Sequence, residues 1–291
     1  MSDQQIKFTL PNGQEVYTGN LVPDVLPVSF KPYPPTKVRP LSEFTEIAKQ
    51  VRKIRRDISA EMKLAKWLKS QGRIGSCNAW MVRNMWGVLT YRMFGKWIDI
   101  SPEHLYCRIN GGRDAGSMLD DGMVEMTDNG CVLWDDKWYE KYQANKIPME
   151  MMRHANEQGK QQRFQECYQA SRESVEACWQ SLCCCVQDGG AVGVAVHVGN
   201  SYLNSGKGIA GFDRGPGNHA IAGSDFELLT DTPRSWADVA IKSPQSWGAD
   251  FADGNVTTLT IKHIEEPMKY HGLYCARSVW QPDYLQKEFK A

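Results

Sequence analysis

The stretch QGRIGSCNAW, Gln71 to Trp80, sets one cysteine directly behind a Gly-Ser step and at the head of an apolar helical run. A thiol attacks carbonyl carbon well only as its thiolate, and a helix N-terminus favours that anion through its free N–H dipoles. Gly75-Ser76-Cys77 supplies such a start, and the tight glycine step is expected to expose the sulfur. Six positions upstream, the Gln71 amide and the Cys77 backbone N–H are candidate donors for an oxyanion.

A nucleophilic thiol also needs a base and a group to hold that base. His219, in GPGNHAIAG, stands where a glycine-rich loop enters an apolar strand. Gln245, in IKSPQSWGADF, offers a side-chain carbonyl at the end of another strand, with Trp247 near enough to shield the bond from water. Each signal alone is weak, because a cysteine at a helix start or a histidine entering a strand is usually structural. The order Gln, Cys, His, amide-Ser-Trp-Gly is far more specific.

In that order the chain resembles the papain-like (C1) cysteine peptidases. The resemblance runs from Gln71 to the strand VTTLTI. It rests on Gln71-Gly72, Gly75-Ser76-Cys77, Ala79-Trp80, SPEHLY, Asn218-His219-Ala220 and Ser246-Trp247-Gly248. His219 follows Cys77 by 142 positions, the separation typical of that family, and Gln245 follows it by 168. The resemblance implies an α+β, two-lobe fold, with a helical lobe (about 71–165) carrying the cysteine. A β-rich lobe (about 186–285) carries the histidine, and a cleft lies between them. It implies Cys77 as nucleophile, His219 as acid/base, Gln245 as the ring-orienting amide and Gln71 as the oxyanion donor. Gly116, Ser117, Asn218 and Trp247 are the expected substrate contacts, and no cofactor or metal is implied. Three departures stand out. Gln245 replaces the usual Asn, Ile74 occupies the place of a common disulfide cysteine, and the long inhibitory prosegment of secreted members has no counterpart in residues 1–70. A bacterial or phage-type branch is the expectation.

The rest of the chain fits around this. Acidic and basic residues balance at 34 each, so no overall field draws the protein to nucleic acid or membrane. Nine cysteines, three of them consecutive at 183–185, are a poor disulfide framework and point to free thiols made in a reducing, cytoplasmic compartment; a virion is the other expected location if the gene is phage-borne. Residues 1–40 read as a hairpin about Asn12-Gly13 followed by an arm with six prolines, expected to pack on its own domain or on a partner assembly. Ile47, Val51, Ile54, Ile58, Met62 and Leu64 or Trp67 recur at helical spacing, and the basic run Arg52–Arg56 reads as a solvated helix face. Helices are expected at Cys77–Phe94, after Ser101, over SMLDDGMVEMTDNG and over SRESVEACWQSLCCCVQ. Strands are expected at AVGVAVHV, NHAIAGSDFELL, WADVAIKS and VTTLTIKHI. His263 and His271 read as surface residues, and Cys183–Cys185 as helix packing rather than metal ligands. The functional expectation is a thiol peptidase acting on a peptide or protein. The alternatives are a papain-like scaffold with a structural role and a cysteine peptidoglycan hydrolase.

Overall fold

Helix α3 (Cys77–Phe94) decides the architecture, because every residue from Cys77 to Thr90 is buried. A helix buried on all sides has no solvent face, so other elements surround it, and its buried Arg83 is paired with Asp99. In the computed structural model, which describes residues 6–19, 30–111, 113–134 and 162–280, α3 packs across the β-lobe. It meets β4 (Ala191–Val196), β5 (His219–Gly223) and β9 (Tyr274–Val279) on one side. On the other side it meets α4 (Pro102–Asn110) and α5 (Leu119–Asp128).

The start signals act as expected. Ser101 accepts from the His104 N–H to cap α4, Pro102 takes the first helical position, and Gly111 closes the helix in the left-handed region. Ser174 caps α6 (Val175–Gln187), whose Cys183, Cys184 and Cys185 are all buried. All nine cysteines are free. The continuous helix expected through Ile54 is instead two: α1 (Leu41–Ile54) and α2 (Ile58–Leu64). The break follows from Arg55, which leaves the helical region and donates to the Val186 and Gln187 carbonyls, and from Asp57, which caps a new start. Ile54 and Leu64 are thereby left exposed, while Phe44, Thr45 and Ala48 carry the buried face of α1.

Two antiparallel sheets form the other lobe. One is ordered β3-β9-β4-β5, with β3 at Phe164–Gln169; the other is β6-β7-β8, at Asp225–Leu228, Val239–Pro244 and Val256–Leu259. The expected strand VTTLTIKHI stops at Leu259, and its end turns into a short helix at Lys262–Glu265. His263 and His271 are buried, not superficial. His263 bonds to Thr260 and the Ala210 carbonyl, and His271 to the Gly217 carbonyl, bracing the loop that enters β5.

The N-terminal hairpin forms as read: β1 (Ile6–Thr9) pairs with β2 (Glu15–Thr18) around Gly13 at positive φ. Residues 20–29 of the arm and 135–161 of the expected irregular stretch lie outside the described residues. The arm re-enters as a strap: Lys31 and Tyr33 exchange backbone hydrogen bonds with Gln169, and Arg39 pairs with Asp188 at 2.5 Å.

Candidate active site

The fold brings Cys77, His219, Gln245 and Gln71 to one seam between the lobes. Cys77 heads α3, and the N–H of Ala220, next to His219 on β5, points at its sulfur. His219 opens β5 opposite Val196, so its ring is delivered by a strand paired on the rigid side of the sheet. Its ring stacks on Trp247, with centroids 4.3 Å apart and planes 22° apart. Gln245 follows β7 directly; its Nε2 donates to Thr257 Oγ1 at 2.8 Å and its side-chain carbonyl oxygen is left without a partner among the described residues.

The loop carrying Gln245 and Trp247 is stitched to the one carrying Gln71. The Gln71 N–H donates to the Ser246 carbonyl at 2.7 Å, and Ser246 Oγ donates to Gln71 Oε1 at 2.5 Å. That second bond fixes which end of the Gln71 amide donates, and its Nε2 is directed to the Ile74 carbonyl at 2.7 Å and into the seam. Asn255, held at positive φ, donates to the Gln245 main-chain carbonyl and accepts from the Trp247 N–H. On the facing wall Asp114 accepts from both the Gly75 N–H and the Tyr106 hydroxyl, and that hydroxyl accepts from the Gly116 N–H. Asn255, Asp114 and Tyr106 were not among the sequence candidates. Each acts through the way the chain folds back, within ten residues for Asn255 and Tyr106 and across 39 for Asp114 and Gly75, which no local motif announces.

Two expectations are corrected. The Cys77 sulfur is not exposed, because the chain's own N-terminal strand covers it. Asn218 is not free for substrate through its side chain, which closes a pair of bonds with the Val198 backbone at 2.7 and 3.1 Å. The covering segment runs along the whole seam. Gln14 Nε2 donates to the Trp247 carbonyl at 2.8 Å, and Gln71 Nε2 donates to the Tyr17 carbonyl at 2.9 Å. The Gly19 N–H points at the Cys77 sulfur, and the Gly19 carbonyl accepts from the Ser117 N–H at 2.6 Å. A methyl group on Gly19 would lie 2.0 Å from the Gly75 carbonyl oxygen, and one on Gly116 would lie 2.4 Å from the Gly19 carbonyl oxygen. Both glycines are therefore required by close backbone approach.

Covering the seam sets its electrostatics. Burial pushes the Cys77 thiol up, against the N–H groups of Ala220, Gly19, Asn78 and Cys77 itself, which favour its anion. Burial pushes His219 down to about 3, while the Gln245 amide beside the ring works in the opposite direction. Both groups are therefore neutral in this covered form. Among the described residues, no group of three or more His, Cys, Asp or Glu side chains is placed to hold a metal ion, and no helix is long and apolar enough to cross a membrane.

No family model and no curated protein sequence matches the chain. Solved structures do match. Xylellain, a cysteine protease from Xylella fastidiosa, superposes with a TM-score of 0.57 at 14% identity, covering 90% of this chain and 96% of that one. Bromelain from Ananas comosus gives 0.54 at 14% identity, over 74% of this chain and 93% of its own. The ragweed pollen protease Amb a 11 in its proform gives 0.52 at 12% identity over 74% of this chain, which spans 61% of the proform's length. At these identities the likeness speaks for the fold. The chain has the two-lobe fold of the papain-like cysteine proteases, with helices in one lobe and antiparallel sheet in the other.

Proposed function

We propose that the protein is a thiol peptidase in which Cys77 is the nucleophile, His219 the acid/base, Gln245 the ring-orienting amide and Gln71 an oxyanion donor. The observation that carries this reading is that the seam already holds a peptide. The Tyr17 carbonyl sits on the Gln71 amide, and Gly19 is bonded to Ser117 beside the thiol. One wall offers the Gln71 side-chain amide and the other the Ser117 main-chain N–H, each gripping a main-chain carbonyl of an extended segment, which is what a peptide-cleaving cleft must do.

In catalysis Cys77 would lose its proton to His219 and attack a peptide carbonyl. The oxygen would gain charge against the Gln71 amide and the Cys77 N–H. The protonated His219 would then hand its proton to the leaving amine, and water would release the acyl group by the same route in reverse. This sequence fixes the polarity of a substrate. Residues after the scissile carbonyl must pass on the His219–Trp247 side, where the leaving amine meets the imidazole. The covering segment runs the other way: Gln14, before Tyr17, lies at Trp247, and Gly19, after it, lies at Ser117. No amine of this segment is offered to His219, so it fills the cleft without being cut.

The test is cleavage of a mixed peptide library read by mass spectrometry, with Cys77→Ser as control. Peptides cut by the parent and spared by the variant support the reading. A library left intact once the covering segment is displaced would overturn it.

A further inference from the structure

Gln245 presents the orientation problem of any side-chain amide, made harder by its length. It carries one more torsion than an Asn, and the terminal torsion of a Gln amide is broad and nearly two-fold. Turned one way, its carbonyl faces the His219 ring and accepts the ring N–H. Turned the other, its NH2 faces the ring. The imidazole must then accept there and carry its proton on the other nitrogen, the one that has to take the thiol proton. A buried Gln therefore works only if something outside the ring settles its orientation.

We propose that Thr257 is this positioning residue, acting with the Ser243 carbonyl and with Tyr202 behind it; the inference rests on the peptidase reading above. Thr257 lies directly across the β7–β8 ladder from Ser243, so its hydroxyl is carried by a strand paired in fixed register. Its Oγ1 accepts from Gln245 Nε2 at 2.8 Å. A hydroxyl can serve either end of an amide, so this bond alone sets reach, and it holds the amide within range of the group that sets direction. Direction comes from the Ser243 carbonyl, 3.4 Å from the same Nε2, which can only accept and so repels a carbonyl turned towards it. Tyr202 Oη lies 3.3 Å from Thr257 Oγ1, a hydroxyl pair in which either atom can donate and which holds the Thr257 hydroxyl in place. Every member of this set is fully or almost fully buried, and the Tyr202 ring meets Trp247 edge-on at 6.3 Å, so water is kept from substituting for any of them. Among the described residues the Gln245 side-chain carbonyl oxygen, the two ring nitrogens of His219, Ser243 Oγ and Trp247 Nε1 are left without a partner. With Nε2 engaged by Thr257 and the Ser243 carbonyl, the free end of the Gln245 amide is its acceptor, beside the His219 ring.

The test uses the full-length chain with 15N-labelled histidine and three variants: Thr257→Val, which keeps the shape and removes the hydroxyl, Thr257→Ser, which restores it, and Tyr202→Phe. Nitrogen shifts report the His219 tautomer, and inactivation by an epoxide-type thiol reagent reports the limiting rate separately from reagent binding. The covering segment slows all the proteins alike, so rate ratios remain comparable. The wild type and Thr257→Ser should show one neutral tautomer and equal rates. Thr257→Val should show both tautomers, with the limiting rate down by about ten- to a hundredfold and reagent affinity unchanged. Tyr202→Phe should fall between them. A single wild-type tautomer and unchanged rate in Thr257→Val would overturn the positioning role while leaving the peptidase reading intact. A wild type whose Cys77 never reacts, with tautomers that still follow the Thr257 hydroxyl, would overturn the peptidase reading alone.

Discussion

His219 is buried completely, stacked on Trp247 and neutral down to about pH 3. Its folded pKa lies below the unfolded value of about 6.5, so the unfolded chain binds the proton first as acid is added. The stability tied to this group is fully present above that value and is lost as the pH falls towards 3, at up to about 1.4 kcal/mol per pH unit. His219→Phe should therefore flatten part of the acid limb of a denaturant titration between pH 6.5 and 4, while leaving the alkaline limb alone. Glu103 should act in the opposite direction. Burial pushes it up to about 7, so its stabilising contribution is lost as pH rises from about 4.5 to 7, and Glu103→Gln should remove that slope. At this scale the sequence was legible where chemistry is carried by a residue type in a motif: Gln71, Cys77, His219 and Gln245 all meet at the seam. It was not legible for Thr257, Asn255 or Asp114, ordinary polar residues whose meaning depends on which strand or loop they face.

Among the elements, the N-terminal hairpin is the one whose form was legible and whose place was not. Asn12-Gly13 announces the turn, but nothing in residues 6–19 says that Gly19 will lie against Gly75. The fit is tight enough to test by one methyl group. Gly19 has an ordinary φ, so Gly19→Ala meets no backbone objection, only the contact with the Gly75 carbonyl. Overpacking of this kind costs about 1–3 kcal/mol, which shifts a covered–open balance by about five- to 150-fold. Amide hydrogen exchange should then accelerate from Glu15 to Gly19 and at the head of α3, and stay unchanged in α6. The break between α1 and α2 was hidden for a different reason. Ile54 continues the apolar period, but Arg55 finds carbonyl partners on α6 that outweigh one more helical turn.

Across the whole molecule, helices followed by strands gave the fold class, and the helix expected from Cys77 to Phe94 forms as α3. Sheet order did not follow from either. β9, the last strand, inserts between β3 and β4, a placement set by long-range pairing and not by chain order. The Pro-rich strap links the extremes: Lys31 and Tyr33 on Gln169, Arg39 on Asp188 and on Gln187 at 3.3 Å. Removing residues 1–19 should uncover the seam at little cost in melting temperature. Removing 1–40 should lower the melting temperature clearly, because the strap and its buried Tyr33 go with it. The central claim is that Cys77 is a His219-dependent nucleophile beneath this cover, and the most direct measurement is the rate of its labelling by an epoxide-type thiol reagent at neutral pH, located by peptide mapping. In Gly19→Ala, Cys77 should label about fivefold or more faster than in the wild type and ahead of every other cysteine, and adding His219→Ala should abolish the gain. Labelling of Cys77 no faster than that of Cys183–Cys185, or undiminished without His219, would contradict the account.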